Sequence, residues 1–209
     1  MIEKISWLGH ASFRIDGPPR IYIDPWRIPD DNPSADVILI SHEHYDHFST
    51  YDIDRLLRPD THIITNQSTA NLLSDDYPVT ILRPWQSINI GRANIKAVPA
   101  YTYDEYHPAL RGDLGFIIAL NYYDIFYAGD SDFIPEHRNL RCDIAILPVS
   151  AKEGLMTIED TVDLVKVMQP SFVIPSHYGS PEGGTRLDAT ALETAIDGLT
   201  RVAWLDARV

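Results

Sequence analysis

A single cysteine in 209 residues leaves no intramolecular disulfide to form, so packing, hydrogen bonds or a bound ion must hold this chain together. That cysteine, Cys142, lies between Arg141 and Asp143 at the edge of an apolar run, where a small side chain packs rather than reacts. Basic residues are scarce too. Seventeen Lys and Arg against 30 Asp and Glu give a formal charge of −13, which argues against a nucleic-acid or anionic-membrane partner, since both need clustered cations. No stretch reaches the roughly 20 apolar residues that span a bilayer. Met1-Ile2-Glu3-Lys4-Ile5 runs into strand-like sequence without an apolar leader, which predicts a cytoplasmic location with no membrane insertion. No period of about 20 to 50 residues recurs, which excludes a solenoid.

What is present suits an enzyme. With 44% hydrophobic residues the chain can bury a substantial core, and one domain over residues 1–209 is expected. Short runs rich in β-branched and aromatic residues predict strands at 5–8, 12–15, 21–24, 37–40, 62–65, 79–82, 87–90, 93–98, 115–120, 124–128, 144–147, 172–174 and 202–205. Ile158, Val162, Val165 and Met168 recur at helical spacing behind a Thr157/Asp160 cap, and Pro170 stops that helix. Leu187, Ala191, Leu192, Ala195, Ile196 and Leu199 form another apolar helical face; Ser49 with Asp52, and Asn66 ahead of 67–73, start two shorter helices. Trp204 belongs to an apolar run and suits the core. Trp26 and Trp85 border prolines and loops and suit a pocket or a self-association surface, so a homo-oligomer stays open.

The chemistry concentrates in Ser41-His42-Glu43-His44-Tyr45-Asp46-His47, directly after the buried-type run 36–40. In an extended segment His42 and His44 point the same way and can share one cation, while the turn that follows offers Asp46 and His47 to a second. Three other apolar runs end in ionisable residues: Asp24 after 21–23, Asp130 after 125–129, and His177 after 173–176. Ends of buried strands are rigid platforms for ligands, although a carboxylate there can equally cap a helix.

Taken in order, His42-x-His44-x-Asp46-His47, Asp130, His177 and the early Asp24 resemble a metallo-β-lactamase superfamily hydrolase over nearly the whole length. That resemblance implies an α+β fold, a four-layer αββα sandwich with metals held by loops along one edge of paired sheets. Trp7-Leu8-Gly9-His10-Ala11-Ser12-Phe13 and Val98-Pro99-Ala100-Tyr101 are similar to the ascorbate-6-phosphate lactonase-like branch. The first of them is also similar, more distantly, to the N-acyl-phosphatidylethanolamine phospholipase D group.

The family pattern implies that His42, His44 and a third histidine hold one cation, that Asp46, His47 and His177 hold another, and that Asp130 bridges them. Tyr101 stands near where the third histidine is expected, and the nearest histidine is His107, six residues on. A loop return would bring His107 to the first cation; the alternative is a loop histidine shaping the entrance. Two divalent ions are expected, zinc by default, with manganese and iron also suited to this ligand set.

Metal-assisted hydrolysis of a small ester, lactone or phosphorylated metabolite follows as the expected reaction. Asp46 would accept a hydrogen bond from the attacking water, Asp24 would orient a ligand, and His10, Tyr101 and Tyr178 could donate to an oxyanion or leaving group. Arg111, Lys152 and Arg186 are candidates for recognising an anionic group. His62 and His137 read as structural, and Asp132 as a turn residue. The readings set against this one are a phosphodiesterase of the same fold, a mononuclear iron dioxygenase, and a metal-binding protein without turnover.

Overall fold

Helices lie outside two facing sheets because of how the strands are connected. The computed structural model describes residues 1–149 and 155–207. Its first sheet runs in chain order through β1 (Ile5–Gly9), β2 (Ser12–Ile15), β3 (Ile21–Ile23), β4 (Val37–Leu39), β5 (His62–Thr65) and β6 (Val79–Ile81). The second contains β7 (Ser87–Ile90), β8 (Ala93–Pro99), β9 (Leu114–Leu120), β10 (Tyr123–Tyr127), β11 (Ile144–Pro148), β12 (Phe172–Ser176) and β13 (Arg201–Val202), also in sequential order. Each sheet begins antiparallel, through β3 and through β10, and continues parallel. Antiparallel neighbours can be joined by tight turns, whereas parallel neighbours need a crossover that returns over one face. Helices α1 (Thr50–Leu56), α2 (Gln67–Ala70), α3 (Ile158–Met168) and α4 (Arg186–Ala195) lie in those crossovers.

Strand periodicity then sorts the side chains. Ile21, Ile23, Val37, Leu39 and Ile64 face the second sheet and join its Ile95, Phe116, Ile118 and Ile146 in the main core. The alternate residues Tyr22, Ile38, Ile40 and Ile63 face the other way and pack with Ile53 and Leu56 of α1. Across the second sheet, Leu164, Val165 and Met168 of α3 and Ala189 and Leu192 of α4 close the outer layer. The result is the expected α+β arrangement of αββα layers.

Caps set the two longer helices. Thr157 accepts from the Asp160 amide at 3.1 Å, and α3 ends in left-handed Gln169 ahead of Pro170. Thr185 and Asp188 cap reciprocally, with Thr185 N donating to Asp188 Oδ2 at 2.6 Å. No described helix is long and apolar enough to cross a membrane.

Most predicted strands recur within a residue or two, but the last does not. The run 202–205 shrinks to β13 because Trp204 turns aside, its indole N–H donating to Glu193 Oε1 at 2.7 Å, and stays half-buried. Leu187, expected on the buried face of α4, is exposed in the first turn. Cys142 is buried, and burial pushes its thiol up to about 12, in keeping with a packing role. His62 opens β5 on the surface.

His137 is fully buried beside Phe126, with Nε2 hydrogen-bonded to the Pro99 carbonyl at 3.0 Å. Burial pushes its pKa down from 6.5 to about 4. The neutral ring's contribution is therefore complete above the unfolded value and is lost as pH falls through that window. Urea unfolding of wild type and His137→Gln at about pH 7.5 and about pH 4.5 checks this: the wild type should lose roughly 2 kcal/mol more than the variant. Equal losses would show that His137 does not carry the acid sensitivity.

Candidate metal centre

The candidate residues gather where strands end. Asp24 follows β3, the segment 41–47 leaves β4, Asp130 follows β10 and His177 follows β12. Two of these turns are sharp, as is the one at His10 after β1. His10, Asp24 and His177 adopt left-handed backbone at φ 50°, 44° and 60°, conformations that cost energy in non-glycine residues and persist where the surroundings over-determine them. Gly129 takes the same region at φ 65°, and a Cβ there would stand 2.9 Å from the Leu114 carbonyl oxygen, so the approach to Asp130 requires glycine.

Asp130 Oδ2 is the focus. His47 Nε2 and His177 Nε2 each lie 3.3 Å from it, His107 Nε2 3.6 Å and His42 Nε2 4.0 Å. His107 is buried, and its ring centroid is 4.8 Å from that of His42 and 4.7 Å from that of His44. The loop folds back through Thr102 N to His107 O at 2.9 Å and His107 N to Thr102 Oγ1 at 3.2 Å. Three overlapping groups of donor atoms result among the described residues: His42 with His44 and His107, Asp46 with His47, His177 and His10, and His42 with His47 and Asp130.

Hydrogen bonds behind the rings aim them inward. Asp24, wholly buried, accepts at Oδ2 from His47 Nδ1 (2.7 Å), Ser41 Oγ (2.6 Å) and the Tyr127 hydroxyl (2.6 Å), and at Oδ1 from Ser41 N (2.7 Å). Because the Ser41 proton goes to Asp24, Ser41 Oγ accepts from His42 Nδ1 at 2.9 Å. Asp113, also buried, takes His107 Nδ1 at 3.1 Å. In all three imidazoles Nδ1 is engaged behind the ring and Nε2 is the nitrogen turned toward Asp130.

These residues fit a cation. His42 Nε2 is buried without a hydrogen-bond partner, and His47 Nε2 and His177 Nε2 face each other at 3.3 Å, an arrangement of ring nitrogens that a shared cation would satisfy. Burial alone would lower the His47 pKa, yet Asp130 and Asp24 raise it well above its usual range. Burial would raise Asp130, yet His177 and His47 hold it well below. Burial drives His42 well below, and with His107 and Arg111 nearby it lowers His44.

Other expected residues have different surroundings. His10 is buried, with Nε2 3.0 Å from Asp46 Oδ2, Nδ1 2.8 Å from Ser180 Oγ, and its ring 3.9 Å from that of His177. Burial opposes ionisation of Asp46, but the His10 hydrogen bond and His47 hold it at about 2. The Tyr101 hydroxyl donates to Glu136 Oε2 at 3.0 Å, a partner outside the cluster. The Tyr178 ring stacks on Trp7 at 4.5 Å in the main core. Arg186 covers the Trp204 ring, and Lys152 lies outside the described residues. Asp132 Oδ2 accepts from Tyr103 N at 2.8 Å. Arg111 reaches His44 Nε2 at 2.9 Å. Ser41, Tyr127, Asp113 and Ser180 were not marked by the sequence; the polar Ser41 beside His42 was the one local signal.

The family described as the beta-lactamase superfamily domain matches residues 4–177. This chain belongs to that family. A UPF0173 protein of Pyrococcus abyssi is 32% identical over 190 residues, covering 87% of this chain and 86% of the relative, which places the chain in the UPF0173 group of the superfamily. A UPF0173 metal-dependent hydrolase of Pyrococcus furiosus is 27% identical, with 85% of each covered. Among solved structures, a protein of Parabacteroides distasonis described as a metal-dependent hydrolase matches with a TM-score of 0.83 and 29% identity, covering 97% of this chain and 93% of that one.

Within this superfamily member, Asp24→Asn keeps the shape but removes the charge that fixes His47. Zinc affinity, measured on the folded variant by competition with a chromophoric chelator, should fall about 10- to 100-fold. Wild-type affinity in the variant would show that Asp24 does not serve the metal centre.

Proposed function

We propose that this chain is a metal-dependent hydrolase acting on a small ester, lactone or phosphorylated metabolite. One observation carries the reading: six inward-facing donors, on His42, His44, His107, Asp46, His47 and His177, surround Asp130. In this reading the first three would hold one cation and the next three a second, with the Asp130 carboxylate within reach of both groups. Zinc suits such nitrogen and oxygen ligands, and manganese or iron suits them too. Divalent cations there would supply Lewis acidity and bring the pKa of coordinated water toward ~7.

The protein's own groups do the rest. Asp46, kept ionised by His10, accepts a hydrogen bond from the attacking water. Asp24, Ser41 and Asp113 engage Nδ1 of three imidazoles and aim each Nε2 at the centre, so no reorganisation is needed when substrate arrives. The names of the relatives support hydrolysis, and the resemblance of 7–13 to the lactonase-like branch supports a small substrate. The net charge of −13 weighs against a nuclease.

Elemental mass spectrometry after purification without chelators tests the metal reading. About two ions per wild-type chain, and about one in His107→Ala, is the expected result. Chelation should abolish turnover of a chromogenic ester, lactone and bis-phosphate panel, and zinc or manganese should restore it. A metal-replete protein inert toward the whole panel, or an unchanged ion count in His107→Ala, would overturn the assignment.

A further inference from the structure

We propose that Arg111 is a substrate-recognition residue that becomes available when the centre is loaded, and that the substrate carries an anionic oxygen group, carboxylate or phosphate, next to the bond that is cleaved. The inference rests on the metal-dependent reading above and adds the substrate's charge.

Arg111 closes the short 3₁₀ turn Ala109–Arg111, four residues after His107, and left-handed Gly112 turns the chain away after it. Its Nη1 donates to His44 Nε2 at 2.9 Å and to the Tyr106 carbonyl at 3.1 Å. Nη2 is 3.0 Å from Glu43 Oε1 and Nε is 3.4 Å from Asp113 Oδ2. These are close ion pairs, but neither is aligned as a hydrogen bond, and both nitrogens are buried. Charge on two sides therefore anchors the guanidinium while its hydrogen-bonding capacity stays underused. Among the described residues no other Lys or Arg makes a hydrogen bond or ion pair with the cluster.

His44 Nε2 has one lone pair. A cation held by His42, His44 and His107 takes that lone pair, so the Nη1 proton loses its acceptor while Glu43 and Asp113 keep the guanidinium where it is. A partly buried donor left without that acceptor loses free energy, and this one stands beside the atom that would hold the cation. An oxygen of a bound substrate can restore the hydrogen bond, and an anionic oxygen does so most strongly because the planar guanidinium fork matches carboxylate and phosphate. It would also offset the positive charge that the loaded centre adds beside Arg111. The same atom thus couples the two events: metal on His44 opens the receptor that the metal-free protein keeps closed.

Isothermal titration of inorganic phosphate and of acetate into wild type, Arg111→Lys and Arg111→Gln, each zinc-loaded and zinc-free, tests this. Zinc stoichiometry and thermal midpoint are recorded alongside. With zinc bound, at least one of the two anions should bind about tenfold or more weakly to Arg111→Gln, with a smaller loss in Arg111→Lys, which keeps the charge without the fork. Without zinc the substitutions should make no difference. A loss confined to phosphate assigns a phosphoryl group, and one confined to acetate assigns a carboxylate. Equal binding of both anions by zinc-loaded wild type and Arg111→Gln would overturn the inference and leave the metal centre standing. So would a loss of zinc from Arg111→Gln, because the side chain would then be part of the metal site's scaffold. A wild-type chain that takes up no zinc would instead bring down the metal-dependent reading on which the inference rests.

Discussion

The Asp24 carboxylate has no exposure to solvent, and an unpaired charge so placed would cost several kcal/mol. Four donors offset that cost: the amide and hydroxyl of Ser41, the Tyr127 hydroxyl and His47 Nδ1. They come from different parts of the fold. Asp24 follows β3 and Ser41 follows β4 in one sheet, while Tyr127 ends β10 in the other. A single buried anion therefore pins the two sheets together at the edge where His42, His47 and Asp130 emerge. It also sets the direction of two of the imidazoles.

That edge is held against local preference. Left-handed backbone at His10, Asp24 and His177 carries strain that the hydrogen bonds around it must overcome. The His10 carbonyl accepts from both the His177 amide and the Trp7 indole at 2.9 Å, so three segments fix one turn. Gly183 presses in from above: a Cβ there would meet the His177 carbonyl oxygen at 2.2 Å and the His10 ring at 3.1 Å. The loop around Ser180 is moulded onto His10, and through His10 onto Asp46. Rigid placement of this kind is what a metal centre needs.

Electrostatics reinforce the same geometry. The chain carries a formal charge of −13, and at the site Asp24, Asp46, Asp113 and Asp130 stand among six histidines and a single arginine. The two carboxylates that raise His47, Asp130 and Asp24, mark a cluster that calls for positive charge at its centre. Arg111 answers that demand from the side, paired with Glu43 and Asp113.

Local patterns were legible in the amino-acid sequence. Period-2 apolar runs marked β1 to β12 closely because a buried strand must alternate or be apolar throughout, and His42-x-His44-x-Asp46-His47 stood out because its spacing is itself the chemistry. The last strand was not legible, since Trp204 has a partner on α4 that only folding brings near. Tyr101 looked like a site residue by position, yet its hydroxyl found Glu136, 35 residues away in sequence. The partners that aim the rings were equally hidden: Asp24 to Tyr127 spans 103 residues and Ser180 to His10 spans 170. A hydrogen bond depends on distance and angle between atoms, and no spacing along the chain encodes these once a crossover intervenes. Sequence alone thus determined most of the elements that form and singled out the histidine and aspartate motif. Tertiary structure decided that His107 returns to His42 and His44, which carboxylates stand behind the imidazoles, and that the guanidinium of Arg111 meets His44.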